Sequence, residues 1–335
     1  MTRHAGDESN EPHGGDWEYH CRALTDRPID RGVTHALVVS HRDEIVHEWY
    51  GHGRDVNSTL LSWSIAKSIT HALVGIAVDD GAMSLQQKNL RPEWLNDERS
   101  NISLDDLLTM RSGLAWIEDY VDDQQSDVIT MLYGESEYAG DHAGFAAAKS
   151  LVHPPGQEWL YSSGTTNIVA QSLGASIDVP IADFIQHRLF DPLGMSSATA
   201  KYDSVGTFVG SSYVYATARD YVRFGSLYLH GGVVDHTPLL SQSWVQSAGE
   251  HVAYDPEMSL SYGRHWWMWP THARSLIAHG YKGQILWVCP QRELIVAHFG
   301  DTDAAYGGEL RSMVAHLVEA FPVSGAAMRH DGEDG

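Results

Sequence analysis

Positive charge is scarce in this chain. Lys and Arg number 22 against 44 Asp and Glu in 335 residues, a formal net charge of −22. Nucleic acid and anionic membranes are gripped by basic patches, so neither is expected as a partner. Cysteine is scarcer still. Cys21 and Cys289 lie far apart with no C-x-x-C or Cys/His cluster around them, which excludes a disulfide framework and the usual zinc modules. They read as two free thiols, a single bridge being the alternative. No apolar run approaches the length that spans a bilayer. The opening "MTRHAGDESNEPHGGDWEYH" is polar and acidic, without the apolar core of a signal peptide, so cytoplasmic residence is the expectation. Three motifs are also missing: the G-x-S-x-G elbow, the phosphate-cradling G-x-x-x-x-G-K-[ST] and the dinucleotide G-x-G-x-x-G.

Core-forming residues are plentiful. Hydrophobic side chains make up 43% of the chain and aromatics 10%, enough for a substantial folded core. The ends, 1–16 and 324–335, are Gly-, Asp- and His-rich and are expected to be disordered. "THALVVSHRDEIVHEWYGHG" reads as a hairpin around a His-Arg-Asp turn. "SIAKSITHALVGIAVDDGAMSL" reads as an amphipathic helix closed by Asp-Asp-Gly. Helical spacing continues through "SLDDLLTM", "TTNIVAQSLGASI", "PIADFIQHRLFDPLG" and "TARDYVRFGSLYLHGG". Strand patterns then return in "SLSYGRHWWMWP", "SLIAHGYKG", "QILWVCPQ" and "ELIVAHFG", before a last helix "GGELRSMVAHLVEAF". The expected fold is α/β in the α+β sense. An antiparallel sheet built from 17–60 and 215–323 is flanked by helices, and an all-helical region, 61–214, is inserted.

"LSWSIAKSIT" carries the first chemical signal. Lys67 is one of only five lysines, and it stands one helical turn after Ser64, on the same face. A helix start favours a developing alkoxide at Ser64 and disfavours an ammonium at Lys67. A neutral lysine amine could then activate the serine. The plain alternative is a helix N-cap followed by a solvated lysine. "LYSSGTTN" offers Tyr161 just before a helix, as a proton carrier or a packing residue. "IAHGYKGQILWV" offers glycines at 280 and 283, which mark either close approach of a ligand or backbone, or an ordinary turn. His47 and His52 in "HEWYGH" are five apart in a strand-turn context and are not at metal-ligand spacing. No metal and no cofactor is called for.

The order Ser64-Ile65-Ala66-Lys67, Tyr161-Ser162-Ser163, Ala278-His279-Gly280 resembles the three boxes of the serine β-lactamase-like superfamily. It is most similar to the class C-like branch that includes family VIII carboxylesterases and 6-aminohexanoate-dimer hydrolases. "ISLDDLLTMRSGL", "YSSGTTNIVAQSLG", "FDPLGMSSA", "ARDYVRFGSLYLHGGVVD" and "LLSQSWV" extend the likeness over roughly residues 30 to 320. The resemblance implies a β-lactamase/transpeptidase-like fold and an acyl-enzyme on Ser64. Lys67 and Tyr161 would share proton transfer, and the backbone N–H groups of Ser64 and Tyr281, beside Gly280, would hold the oxyanion. Ser163 and His279 are candidate substrate-binding residues by their place in the second and third boxes. Two departures bear on substrate. Position 278 carries Ala where a Lys or His is usual, and the second box reads Tyr-Ser-Ser where class C β-lactamases have Tyr-x-Asn. Both lean towards a small ester or a linear amide. "GYKGQ" resembles the Gly-x-x-Gly-Gln of the dimer-hydrolase branch. The alternatives are an acyl-trapping, penicillin-binding-like protein and a weak β-lactamase. Segments 115–145, with its acidic "EDYVDDQQSD", and 200–213 are candidate specificity loops. Oligomeric state is not legible in the sequence.

Overall fold

The computed structural model describes residues 16–51, 53–120, 126–272 and 274–324. The tails expected to be disordered therefore lie outside the described residues except for Asp16 and Ser324, as does His52. Eight antiparallel strands form the main sheet, in the spatial order Glu44–Tyr50, Val33–His41, Leu294–Asp301, Gln284–Cys289, Leu276–Gly280, Trp267–Met268, Leu260–Tyr262, Ala253–Asp255. The first hairpin thus pairs with the last strand of the chain, Val39 opposite Val296 and Val38 opposite Ala297.

The central strands are apolar on both faces because helices cover both. On one face Val39, Val296, Trp287, Ile277, Trp267 and Tyr262 follow one another across five strand pairings. Helices Trp17–Thr25 and Ala304–Glu319 pack there through Cys21, Leu24, Leu310, Val314 and Leu317. Cys21 and Cys289 are both buried in this layer as free thiols. On the other face Val38, Ala297, Leu286 and Ala278 meet helix Ala218–Leu229 and helix Ile65–Asp79. The edge strand Glu44–Tyr50 is half-exposed and carries Glu44 and Glu48, which blunt it against further pairing.

The inserted region holds helices Leu104–Leu108, Asp127–Tyr133, His142–Ala147, Ser163–Ser176 and Ile181–Ile185. It is not all-helical. Strands Leu60–Leu61, Val214–Ala216 and Thr199–Ala200 make a small sheet at its junction with the large one. Helix Ile65–Asp79 also departs from the amphipathic expectation, for every residue from Ile65 to Ala77 is buried. It is the central rod of the molecule, caught between the sheet and helix Ser163–Ser176. The polar residues that gave the amphipathic pattern are buried with partners: Ser68 donates to the His265 carbonyl, Thr70 to the Gly210 carbonyl, and His71 meets the Tyr228 hydroxyl.

Candidate active site

Ser64 stands immediately before the central helix. Its backbone is already helical, φ −67° and ψ −3°, and its side chain caps nothing, so the N-cap reading does not describe it. Trp63, one residue earlier, has φ +44°. A bulky residue adopts that left-handed conformation rarely and at some cost in strain. Ser64 lines a cleft of about 700 Å³ together with Glu118, Tyr120, Tyr161, His279 and Tyr281. That volume suits a small molecule.

Lys67 is not solvated either. It is 2% exposed, and its Nζ donates to Ser64 Oγ at 2.9 Å, Ser163 Oγ at 2.9 Å and the Ser211 carbonyl at 3.1 Å. All three ammonium donors are therefore used. Burial pulls its pKa down to about 8, and the Glu118 carboxylate pulls in the opposite direction by less. Tyr161 lies beneath Lys67, with Nζ 4.9 Å from its ring centroid. Burial raises its phenol well above the ordinary value, the Glu118 charge adds to the rise, and a hydrogen bond with Ser64 opposes it. The phenol is thus protonated at neutral pH while the lysine amine is partly neutral.

Glu118 is the residue that the motifs did not reveal. It comes from the acidic stretch within the candidate specificity loop 115–145, and its carboxylate is turned towards Ser163 and Trp116. It accepts from the Ser163 backbone N–H at 2.8 Å, the Ser163 hydroxyl at 2.5 Å and Trp116 Nε1 at 2.6 Å. Gly164 admits the Trp116 ring, since a Cβ there would lie 2.6 Å from it. Ser163, which the sequence grouped with the substrate-binding residues, lies behind Ser64 in this geometry. It is fully buried and joins Lys67 to Glu118.

The third wall is strand Leu276–Gly280 and the turn after it. Gly280 faces backbone so closely that a Cβ would sit 2.5 Å from the Ser62 carbonyl and 3.1 Å from Trp63 Cβ. This brings the Tyr281 backbone to the nucleophile segment. Among the described residues neither the Ser64 nor the Tyr281 N–H is taken by a loop, cap or side-chain hydrogen bond. The Tyr281 ring stacks on Tyr120 with centroids 4.4 Å apart and meets Trp63 edge-on at 5.2 Å. Ala278 is 1% exposed and belongs to the core, whereas His279 lines the cleft. Burial, Arg311 and His298 push the His279 pKa down to about 3, so the imidazole is neutral. Lys282, after the glycine, is paired with Asp301 at 3.0 Å.

Known proteins share this arrangement of the chain. The family model for Beta-lactamase matches residues 24–307. A 6-aminohexanoate-dimer hydrolase of Paenarthrobacter ureafaciens is 26% identical over 285 residues, covering 80% of this chain and 72% of the relative. Among solved structures, a proposed 6-aminohexanoate-dimer hydrolase of Bacillus anthracis superposes with a TM-score of 0.75 at 21% identity, over 90% of this chain and 82% of the other. A family VIII carboxylesterase superposes with a TM-score of 0.71 at 12% identity, over 91% and 95%. At these identities the two structures speak for the fold alone.

Proposed function

Because the chain belongs to the beta-lactamase family, we propose that it is a serine hydrolase that cleaves a small ester or linear amide through an acyl-enzyme on Ser64. The observation that carries this reading is the Lys67 amine, buried, depressed to about pKa 8 and 2.9 Å from the Ser64 hydroxyl. Roughly a tenth of such an amine is neutral at pH 7, which makes it a workable base near physiological pH. Ser64 Oγ attacks the carbonyl carbon and its proton passes to Lys67 Nζ. The carbonyl oxygen gains the negative charge and is received by the Ser64 and Tyr281 N–H groups. Tyr161, still protonated, stands beside Ser64 to hand a proton to the departing alcohol or amine, and is reprotonated from Lys67. Water then takes the same route to release the acid and restore Ser64.

Ser163 and Glu118 act through Lys67. The carboxylate limits how far the lysine pKa falls, and the serine hydroxyl fixes the direction of one ammonium proton. The preference for esters and linear amides rests on the buried Ala278 and the neutral His279, which leave strand Leu276–Gly280 without a charge at the third box. The relative from Paenarthrobacter ureafaciens, named as a 6-aminohexanoate-dimer hydrolase, supports the amide half of this reading.

Hydrolysis of p-nitrophenyl butyrate by the wild type and by Ser64→Ala, side by side, tests it. Sustained turnover that disappears in the variant is the expected result. A burst without turnover moves the weight to an acyl-trapping protein, and equal rates in both overturn the nucleophile.

A further inference from the structure

The turn Tyr281–Gly283, which begins at the Tyr281 N–H, has an uncommon backbone. Lys282 and Gly283 both lie in the left-handed region, at φ +60° and +86°. A lysine adopts that conformation rarely, and it persists only where the surroundings over-determine it. Here three consecutive carbonyls are held. The Tyr281 carbonyl accepts from Gln284 Nε2 at 3.0 Å, the Lys282 carbonyl from the Thr302 N–H at 3.0 Å, and the Gly283 carbonyl from His298 Nδ1 at 2.9 Å. His298 is fully buried, and burial keeps it neutral by pushing its pKa down to about 4. A carbonyl only accepts, so its one proton stands on Nδ1.

Gln284 does more than the other two. Its side chain is buried, and Nε2 also donates to the Gly300 carbonyl at 2.7 Å while Oε1 accepts from the Gly300 N–H at 3.1 Å. A flipped amide would set its oxygen against two carbonyls and its NH2 against an N–H, so the orientation is fixed. The ladder between Gln284–Cys289 and Leu294–Asp301 runs as far as Ile285 opposite His298. One step further the Gln284 side chain takes the place of a backbone partner for Gly300, and its second amide proton goes to Tyr281. The backbone of Gln284 meanwhile pairs with Gly280. The Tyr281 N–H therefore lies between two points that Gln284 holds, Gly280 on one side and the Tyr281 carbonyl on the other. We propose that Gln284 is a positioning residue for the reaction, its side-chain amide aiming the Tyr281 N–H at the oxyanion without itself meeting the substrate. This deepens the acyl-Ser64 reading and rests on it. It also gives the last residue of "GYKGQ" a task in the chemistry.

The test compares kcat/KM for p-nitrophenyl butyrate and for its thiono analogue, in which sulfur replaces the carbonyl oxygen, with the full chain. Sulfur accepts hydrogen bonds weakly, so the thiono ester draws little help from the oxyanion donors. The wild type is expected to favour the oxygen ester, relative to the hydrolysis of the two esters by hydroxide. Gln284→Met keeps the length of the side chain and loses its hydrogen bonds. In that variant kcat/KM for the oxygen ester should fall about 10- to 100-fold and for the thiono ester only a few-fold, so the preference shrinks. A fall shared equally by both esters is what a merely structural role produces, and it overturns the proposal, as does an unchanged rate. A wild type without the oxygen preference removes the Tyr281 oxyanion site and the role of Gln284 with it. Should Gln284→Met fail to fold, a crystal structure of the wild type carrying a butylphosphonyl adduct on Ser64 decides. The adduct oxygen is expected on the Tyr281 N–H with the Gln284 amide still on the Tyr281 carbonyl. An oxygen placed elsewhere, or an amide turned away, overturns the proposal. The Ser64→Ala control separates the two layers. Turnover that survives Ser64→Ala sinks the hydrolase reading itself, whereas Ser64-dependent turnover with the preference intact in Gln284→Met sinks only the positioning role.

Discussion

Lys67 shows how little a side chain's identity says about its state. In water its amine would be protonated at any physiological pH, and here burial brings it to about 8 against the pull of Glu118. The sequence exposed the pair Ser64 and Lys67, because one helical turn is a local distance. It hid Glu118, whose partner Ser163 lies 45 residues along the chain. Glu118→Gln removes the charge that holds the lysine pKa up. The amine then needs less alkali to become neutral, so the acid limb of kcat/KM against pH should move to lower pH, by up to about one unit. A severalfold loss in the plateau should accompany it, because the amide cannot accept from all three donors that Glu118 satisfies. A pH profile with an unmoved acid limb would remove Glu118 from the proton-transfer network.

At the scale of the element, the strand Leu276–Gly280 is set by one missing side chain. Its apolar residues mark it as a strand, and in the sequence its glycine fits either close approach or a turn. The structure resolves this in favour of close approach, at the Ser62 carbonyl. Gly280→Ala should push this strand away from the Ser62–Trp63 backbone and shift the Tyr281 N–H. A misplacement of that kind can lower kcat/KM by about 100-fold. The overpacking itself should destabilise by about 1–3 kcal/mol, read from urea unfolding. Activity that survives Gly280→Ala intact would release Tyr281 from the oxyanion role. Other elements followed local rules closely. Ser103 heads Leu104–Leu108 with a full capping box, and Gly81 closes the central helix at φ +76°. The central helix departs from its amphipathic pattern because Ser68, Thr70 and His71 are polar residues satisfied inside the core.

For the whole molecule, the decisive contact is between the two segments that flank the inserted region in sequence. Val33–His41 pairs with Leu294–Asp301, and this joins the two parts of the sheet that the inserted region separates in sequence. Trp287 sits in the middle of the row that crosses the sheet from Val39 to Tyr262. Trp287→Ala should cost about 3–5 kcal/mol of stability, as large-to-small changes in a packed core do. The denaturation midpoint should fall accordingly, whatever the fate of the active site. An unfolding curve superimposable on that of the wild type would show that this layer does not bear the fold.

By itself the sequence determined what depends on neighbours along the chain: the strand and helix segments, their caps, the Ser64–Lys67 spacing, and the family-like order of the three boxes. Those features follow from periodicity and backbone sterics, which act over a few residues. The tertiary structure alone decided which charges share a dry space. It turned Glu118 towards Ser163, buried Ser163 between Lys67 and Glu118, and sent Ala278 into the core. The physical reason is that desolvation and electrostatic pairing depend on distance through the fold, and residues far apart in sequence meet only when the sheet has closed.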